Sequence, residues 1–194
     1  EMLPTSFANS VVDWIDPDDE LIDPDSAESD YYSTQEKPYQ ASNAFLLDSN
    51  ELRIIKLGNI SDPEEKKKSL DALMPLVTAL PTPAALNVNT ASEKVLTAIG
   101  LTIQQAQAIV QERDAAPFKT IADVNKLVPN LSAEHKVLLG VSSNYFRLTG
   151  QVRLGKSRLF LNSVLFRSAE GKVRVILRQF NRVKPAPETE QTES

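Results

Sequence analysis

No cysteine occurs among the 194 residues, and histidine occurs once, at His135. The first absence excludes a disulfide framework, a thiol nucleophile and thiolate metal sites, and leaves the redox compartment open. The second leaves little room for imidazole catalysis, because His135 lies between Glu134 and Lys136 on a predicted helix and is assigned no role. Glycine is scarce, six residues with no two adjacent, so phosphate-cradling loops and a Gly-x-Ser-x-Gly elbow are missing. No apolar run approaches the roughly twenty residues that span a bilayer, and no basic-then-apolar signal opens the chain. Positive charge is absent from the front, where no Lys or Arg precedes Lys37.

Into that front are packed Asp13, Asp16, Asp18, Asp19, Glu20, Asp23, Asp25, Glu28 and Asp30. Carboxylates so close repel one another unless the segment stays extended in water or a hard cation neutralises them. Disordered acidic runs are poor in apolar residues, whereas this one carries Val11, Val12, Trp14, Ile15, Leu21, Ile22, Tyr31 and Tyr32. A folded cation site is therefore expected, with a solvated acidic face as the alternative. The site is not an EF-hand. Asp16, Asp18 and Glu20 alternate as its first ligands do, but Leu21 stands where the turn requires glycine and Ala27 where the bidentate Glu belongs. What fits is an irregular calcium loop with Asp13, Asp16 and Asp18 on one side, Glu28 and Asp30 on the other, and Pro17 and Pro24 stiffening the turn between them. Carboxylates without soft ligands favour calcium over zinc or magnesium.

The net charge of −5 conceals an asymmetry: between positions 147 and 184 every charged residue is basic except Glu170. Four segments follow from the patterning. Residues 1–50 form the acidic region, entered through the end of a helix over 7–15 and otherwise read as ordered, irregular coil. Residues 51–140 read as helical. A short helix runs from the Asp48-Ser49-Asn50-Glu51 start to the Gly58 stop. A second opens at Asp62-Pro63 with Leu70, Leu73, Met74 and Val77 as its apolar face. Capping boxes at Thr90/Glu93 and Thr102/Gln105 announce two more, with inner faces Val95, Leu96, Ile99 and Ile103, Ala106, Ile109, Val110, and Gly100 between them. Further helices are predicted over 120–128 and 132–139, the last closed by Gly140. Residues 141–183 switch to a period of two and predict a three-stranded antiparallel meander, and 184–194 read as a disordered tail. Three strands with one apolar face are incomplete alone, so a helix from a missing N-terminal part is expected to cover them.

The stretch from Leu86 to Thr120 resembles the helix-hairpin-helix of competence-type DNA receptors, whose turn grips phosphates through backbone N–H groups. Here the turn Ile99-Gly100-Leu101-Thr102 carries one glycine and an exposed-looking Leu101. Lys94, Arg113, Lys119, Lys126 and Lys136 are balanced by Glu93, Glu112, Asp114, Asp123 and Glu134. Phosphate neutralisation drives nucleic-acid affinity, so a packing role is expected and DNA binding is the alternative. A two-carboxylate hydrolase is a third reading, disfavoured by the shortage of aromatics to line a sugar cleft.

Asp13-Trp14-Ile15-Asp16-Pro17-Asp18-Asp19-Glu20, then Ala27-Glu28-Ser29-Asp30-Tyr31-Tyr32, Pro38-Tyr39 with Asn43, Ser49-Asn50-Glu51-Leu52-Arg53, the run from Leu86 to Ala91 and the closing basic hairpins recur in one order. That order resembles the K-type minor pseudopilins of the bacterial type II secretion (general secretion pathway) system. It departs from them at Asp23-Pro24-Asp25-Ser26, where a glycine-containing turn is more usual, and at Glu64 to Lys68, which reads as an insertion. The resemblance implies an α+β, pilin-like fold with a large inserted helical domain of helix-hairpin-helix or SAM-like type, followed by the C-terminal β-meander. It implies calcium held by Asp16, Asp18, Glu28 and Asp30, with Asp13, Asp19 and Asn43 as further candidates, in one ion or two sharing carboxylates. It also implies a non-enzymatic subunit at the tip of a periplasmic pseudopilus. There the subunit would assemble with other minor pseudopilins and the major pseudopilin, without nucleic acid, and would be anchored in the inner membrane by a helix absent here.

Overall fold

The computed structural model describes residues 3–155 and 157–181, and the predicted tail over 184–194 lies outside them. The architecture is α+β, and the chain divides into two units, Glu1–Pro83 and Ala84–Ser194.

The first unit opens with α1 (Thr5–Ile15), which buries Phe7, Ser10, Asp13 and Trp14 along one face. Two of those four are polar, so the inward face of α1 carries hydrogen-bonding groups as well as the core's largest side chain. The helix stops at Asp16, whose backbone is extended ahead of Pro17, as the residue before proline prefers. Trp14 meets Tyr32 edge-on at 5.0 Å, and Tyr32 stacks on Tyr39 at 5.2 Å. Tyr32 is presented by a short helix, α2 (Ser29–Ser33), in a region whose patterning predicts only coil. Leu52, Ile55, Leu57 and Leu70 complete this core.

The predicted helix from residue 48 to Gly58 is reduced to a 3-10 turn, Ser49–Arg53, under the Asp48/Glu51 capping box. Beyond the turn, backbone carbonyls are satisfied by side chains of other segments. Tyr39 Oη donates to Ile54 O at 2.7 Å and Lys66 Nζ to Ile55 O at 3.1 Å. Helix α3 (Pro63–Leu73) starts as expected, with the Asp62 carboxylate accepting from Glu64 N. Leu70 is buried, and Leu73, Met74 and Val77 pack partly against the same core.

The second unit holds α4 (Glu93–Ala98), α5 (Ile103–Ala115), α6 (Ile121–Leu127) and α7 (Ala133–Val137) around Val88, Leu96, Ala106, Ile109, Val124 and Val128. A two-residue parallel pair, β1 (Leu86–Asn87) with β2 (Leu139–Gly140), ties the two ends of this bundle. Gly140 is thus a strand residue, and the predicted helix over 132–139 ends at Val137. The Thr102/Gln105 capping box is formed, but α4 is capped by Ser92, and Thr90 Oγ1 turns back to Asn87 O instead. The meander forms in full, with β3 (Tyr145–Leu154), β4 (Ser157–Arg167) and β5 (Val173–Asn181) antiparallel in the order β3-β4-β5. Its register places Phe146, Leu148, Val152, Leu154, Leu159, Leu161 and Leu165 on one face, and all of these except Leu161 and Leu165 are exposed.

Candidate metal centre

Burial distinguishes the acidic residues from one another. Asp18, Asp19 and Asp30 stand at the surface and Asp16 is half-buried, while Asp13 and Glu28 lie in the interior of the first unit. Asp13 projects from the inner face of α1 and is fully engaged: one carboxylate oxygen accepts from Ser26 Oγ and the other from Ile22 N at 3.3 Å. This residue gathers the loop around itself. The loop is further shaped by Asx turns, Asp18 Oδ1 accepting from Glu20 N at 2.9 Å and Asp23 Oδ1 from Asp25 N at 2.8 Å, and by Ser26 N donating to Asp23 O at 2.9 Å.

Glu28 is the opposite case. It is 4% exposed, stands just ahead of α2 without capping it, and neither carboxylate oxygen has a hydrogen-bond partner. Burial first, and then the negative charges of Asp13, Asp16 and Asp19, raise its pKa from 4.5 to about 7. Asp16 is also pushed upward, first by burial and then by Asp18 and Asp13, and its Oδ1 is buried without a partner. A buried, unpaired carboxylate costs several kcal/mol unless it is protonated or meets a cation. Three orphaned oxygens on two carboxylates, with acidic side chains as their charged neighbours, form a donor set suited to a hard divalent ion and unsuited to an anion or a soft metal.

The candidates are thus brought together unequally. Asp13, Asp16, Asp18, Asp19 and Glu28 share one electrostatic neighbourhood, as the mutual effects on Glu28 and Asp16 show. Asp30 faces outward from the first turn of α2. Asn43 is tied to the end of α1 through its backbone, its N–H donating to Trp14 O at 3.0 Å, and it adopts a positive φ of 45°. Among the described residues no group of three or more Asp, Glu, His or Cys side chains stands at metal-holding spacing. A cation would therefore draw these side chains inward. The patterning missed Ser26, which links the two arms of the loop, although its place at the close of an Asp-Pro-Asp-Ser turn is where hydroxyls commonly bond back to the backbone.

The hairpin of the second unit offers no comparable site. A phosphate-gripping turn needs free amides, but Gly100 N donates to Thr97 O, Leu101 N to Leu96 O and Thr102 N to Gln105 Oε1. Leu101, read as exposed from the sequence, is 4% exposed, while Ile103, read as inward, is 58% exposed. Leucine at the turn seals the bundle, and the isoleucine one residue past the cap is displaced to the rim. Arg113, part of the apparent basic complement, spends its guanidinium on the carbonyls of Val88 and Ala91.

Two family models, both described as type II secretion system (T2SS), protein K, match residues 1–82 and 86–142. The chain is similar to the type II secretion system protein K of Pseudomonas aeruginosa, with 34% identity over 92% of this chain and 52% of the relative. It is also similar to that of Pectobacterium carotovorum subsp. carotovorum, with 34% identity over 88% of this chain and 52% of the relative. The chain spans about half the length of the curated relatives it matches. Among solved structures, the crystal structure of the GspK-GspI-GspJ complex from the enterotoxigenic Escherichia coli Type 2 Secretion System superposes with a TM-score of 0.72. That match has 25% identity and covers 92% of this chain and 63% of that one.

Proposed function

The chain belongs to the type II secretion system protein K family, and from that premise we propose that it acts as a minor pseudopilin. In this reading it is a non-catalytic subunit that assembles with I-type and J-type partners at the tip of a periplasmic pseudopilus, next to the major pseudopilin, and helps start that assembly for the export of folded proteins. The observation that carries the reading is the superposition of this chain, over nearly its whole length, on a protein solved in a GspK-GspI-GspJ complex. A helical bundle ahead of a three-stranded sheet adds bulk suited to a terminal subunit, where nothing further stacks. The exposed apolar face of the sheet is matched to an amphipathic or apolar helix, which we assign to the part of the relatives' length this chain does not span. No helix of the described residues is itself long and apolar enough to cross a membrane.

Calcium is the second part of the proposal. Glu28 and Asp16 would hold the ion through their unpartnered oxygens, with Asp18 and Asp19 supplying ligands from the loop, Asp30 from the first turn of α2 and Asn43 from the neighbouring segment. Asp13 keeps the loop folded through Ser26 and Ile22. Bound there, the ion supplies positive charge that stabilises the ionised carboxylates and fixes the first unit. The test is reconstitution: this protein, mixed with soluble I-type and J-type pseudopilins from the same system, is expected to elute as a ternary complex with calcium present. Separate elution of all three under the same conditions contradicts the proposal.

A further inference from the structure

Lys56 lies between the 3-10 turn at Ser49–Arg53 and α3, and its ammonium meets a backbone carbonyl and an aromatic ring. Its Nζ donates to Ser26 O at 3.0 Å and sits 5.0 Å from the centroid of the Tyr31 ring. Its backbone N–H donates to Tyr32 Oη at 3.3 Å. Ser26 in turn donates its hydroxyl to Asp13 on α1. Three chain segments thus meet in one series, from Lys56 to the Ser26 carbonyl and from the Ser26 hydroxyl to Asp13. The arm they hold is buried throughout, with Ser26 3%, Ala27 1% and Glu28 4% exposed.

We propose that Lys56 is a positioning residue for the metal centre, a latch that holds the Ser26-Ala27-Glu28 arm against the core so that Glu28 stays beside Asp13 and Asp16. The inference rests on the calcium reading above and deepens it. The alternative role for a lysine near an acidic cluster is that of a built-in counterion. The geometry opposes that role, because the ammonium is engaged by a carbonyl and an aromatic face. The two roles also differ in sign. Removing a counterion leaves the site more negative and tightens a divalent ion, whereas removing a latch frees the arm and weakens binding.

The test compares wild type, Lys56→Met and Lys56→Arg by amide hydrogen exchange in chelator and by calcium titration calorimetry. In Lys56→Met, exchange at Ile22 and Ser26 is expected to rise by about tenfold, and calcium affinity to fall by about tenfold, the scale of one lost charged hydrogen bond. Lys56→Arg, which keeps the donor and the cation over the ring, is expected to restore most of both. Unchanged exchange in Lys56→Met, or calcium binding that tightens, overturns the latch. Lys56→Gln, retaining a shorter donor, is the second variant if the methionine chain does not fold, and is held to the same two outcomes. If wild type itself does not bind calcium, the metal reading falls, and the exchange comparison in chelator decides the latch on its own.

Discussion

Glu28 and Asp13 are both buried acids a few residues from one proline-rich turn, yet their surroundings give them different work. Asp13 has its hydrogen bonds made by the chain, and Glu28 has none. Without metal, the raised pKa of Glu28 means that the folded state binds its proton more tightly than the unfolded state does. Its contribution is therefore fully present below pH 4.5 and is lost as pH rises through about 7. In chelator, stability followed by urea unfolding is expected to decline between those limits, by an amount on the order of 3 kcal/mol from this residue alone. Glu28→Gln is expected to flatten that decline and to make the metal-free protein more stable at pH 8, while abolishing any response to calcium. A variant that is less stable than wild type in chelator at pH 8 would show that the carboxylate is satisfied by something other than a cation. That acidic residues here are folded around an interior was legible in the sequence, from the apolar and aromatic residues among them. Which acid faces inward was not, because Asp13 and Asp16 differ by less than one helical turn and the end of α1 separates their fates.

Among the elements, helix starts were read well where one cap residue had no nearby rival of better geometry, as at Asp62 ahead of Pro63, and at Thr102, Thr120 and Ser132. The reading slipped at α4, where Thr90 and Ser92 compete. The strand pairing of Leu86–Asn87 with Leu139–Gly140 pulls the first of them out of cap geometry, and a contact across more than fifty residues leaves no local trace. Ser92→Ala is accordingly expected to lower stability by about 1 kcal/mol, and Thr90→Ala by much less, in thermal unfolding of the two side by side. Gly100 is held at φ +102°, and a Cβ there would meet the His135 imidazole. Gly100→Ala is thus expected to destabilise by more than the cap variant, through both backbone strain and displacement of that ring. The solitary histidine, assigned no chemistry from the sequence, is a packing residue over the hairpin turn, anchored by Ser132 Oγ at 2.8 Å from Nδ1.

At the scale of the molecule, the period-two pattern after residue 144 predicted the three antiparallel strands that form, joined by short turns at Gly155 and Gly171, while the register, with its shift at Val164/Leu165, is set by the pairing itself. The same pattern marks a face that the described residues do not cover. Leu148→Ser with Val152→Ser is expected to change the unfolding of this chain by less than about 0.5 kcal/mol per site, because both side chains already meet water. Loss of the fold in that double variant would mean the face is occupied within the chain. The measurement that bears most directly on the account is thermal unfolding at pH 7.5 in calcium, in magnesium and in chelator. A rise of about 4 °C or more with calcium, little or none with magnesium, and its loss in Glu28→Gln are the results expected of a carboxylate site completed by a large divalent ion. Superimposable unfolding in calcium and in chelator would contradict it.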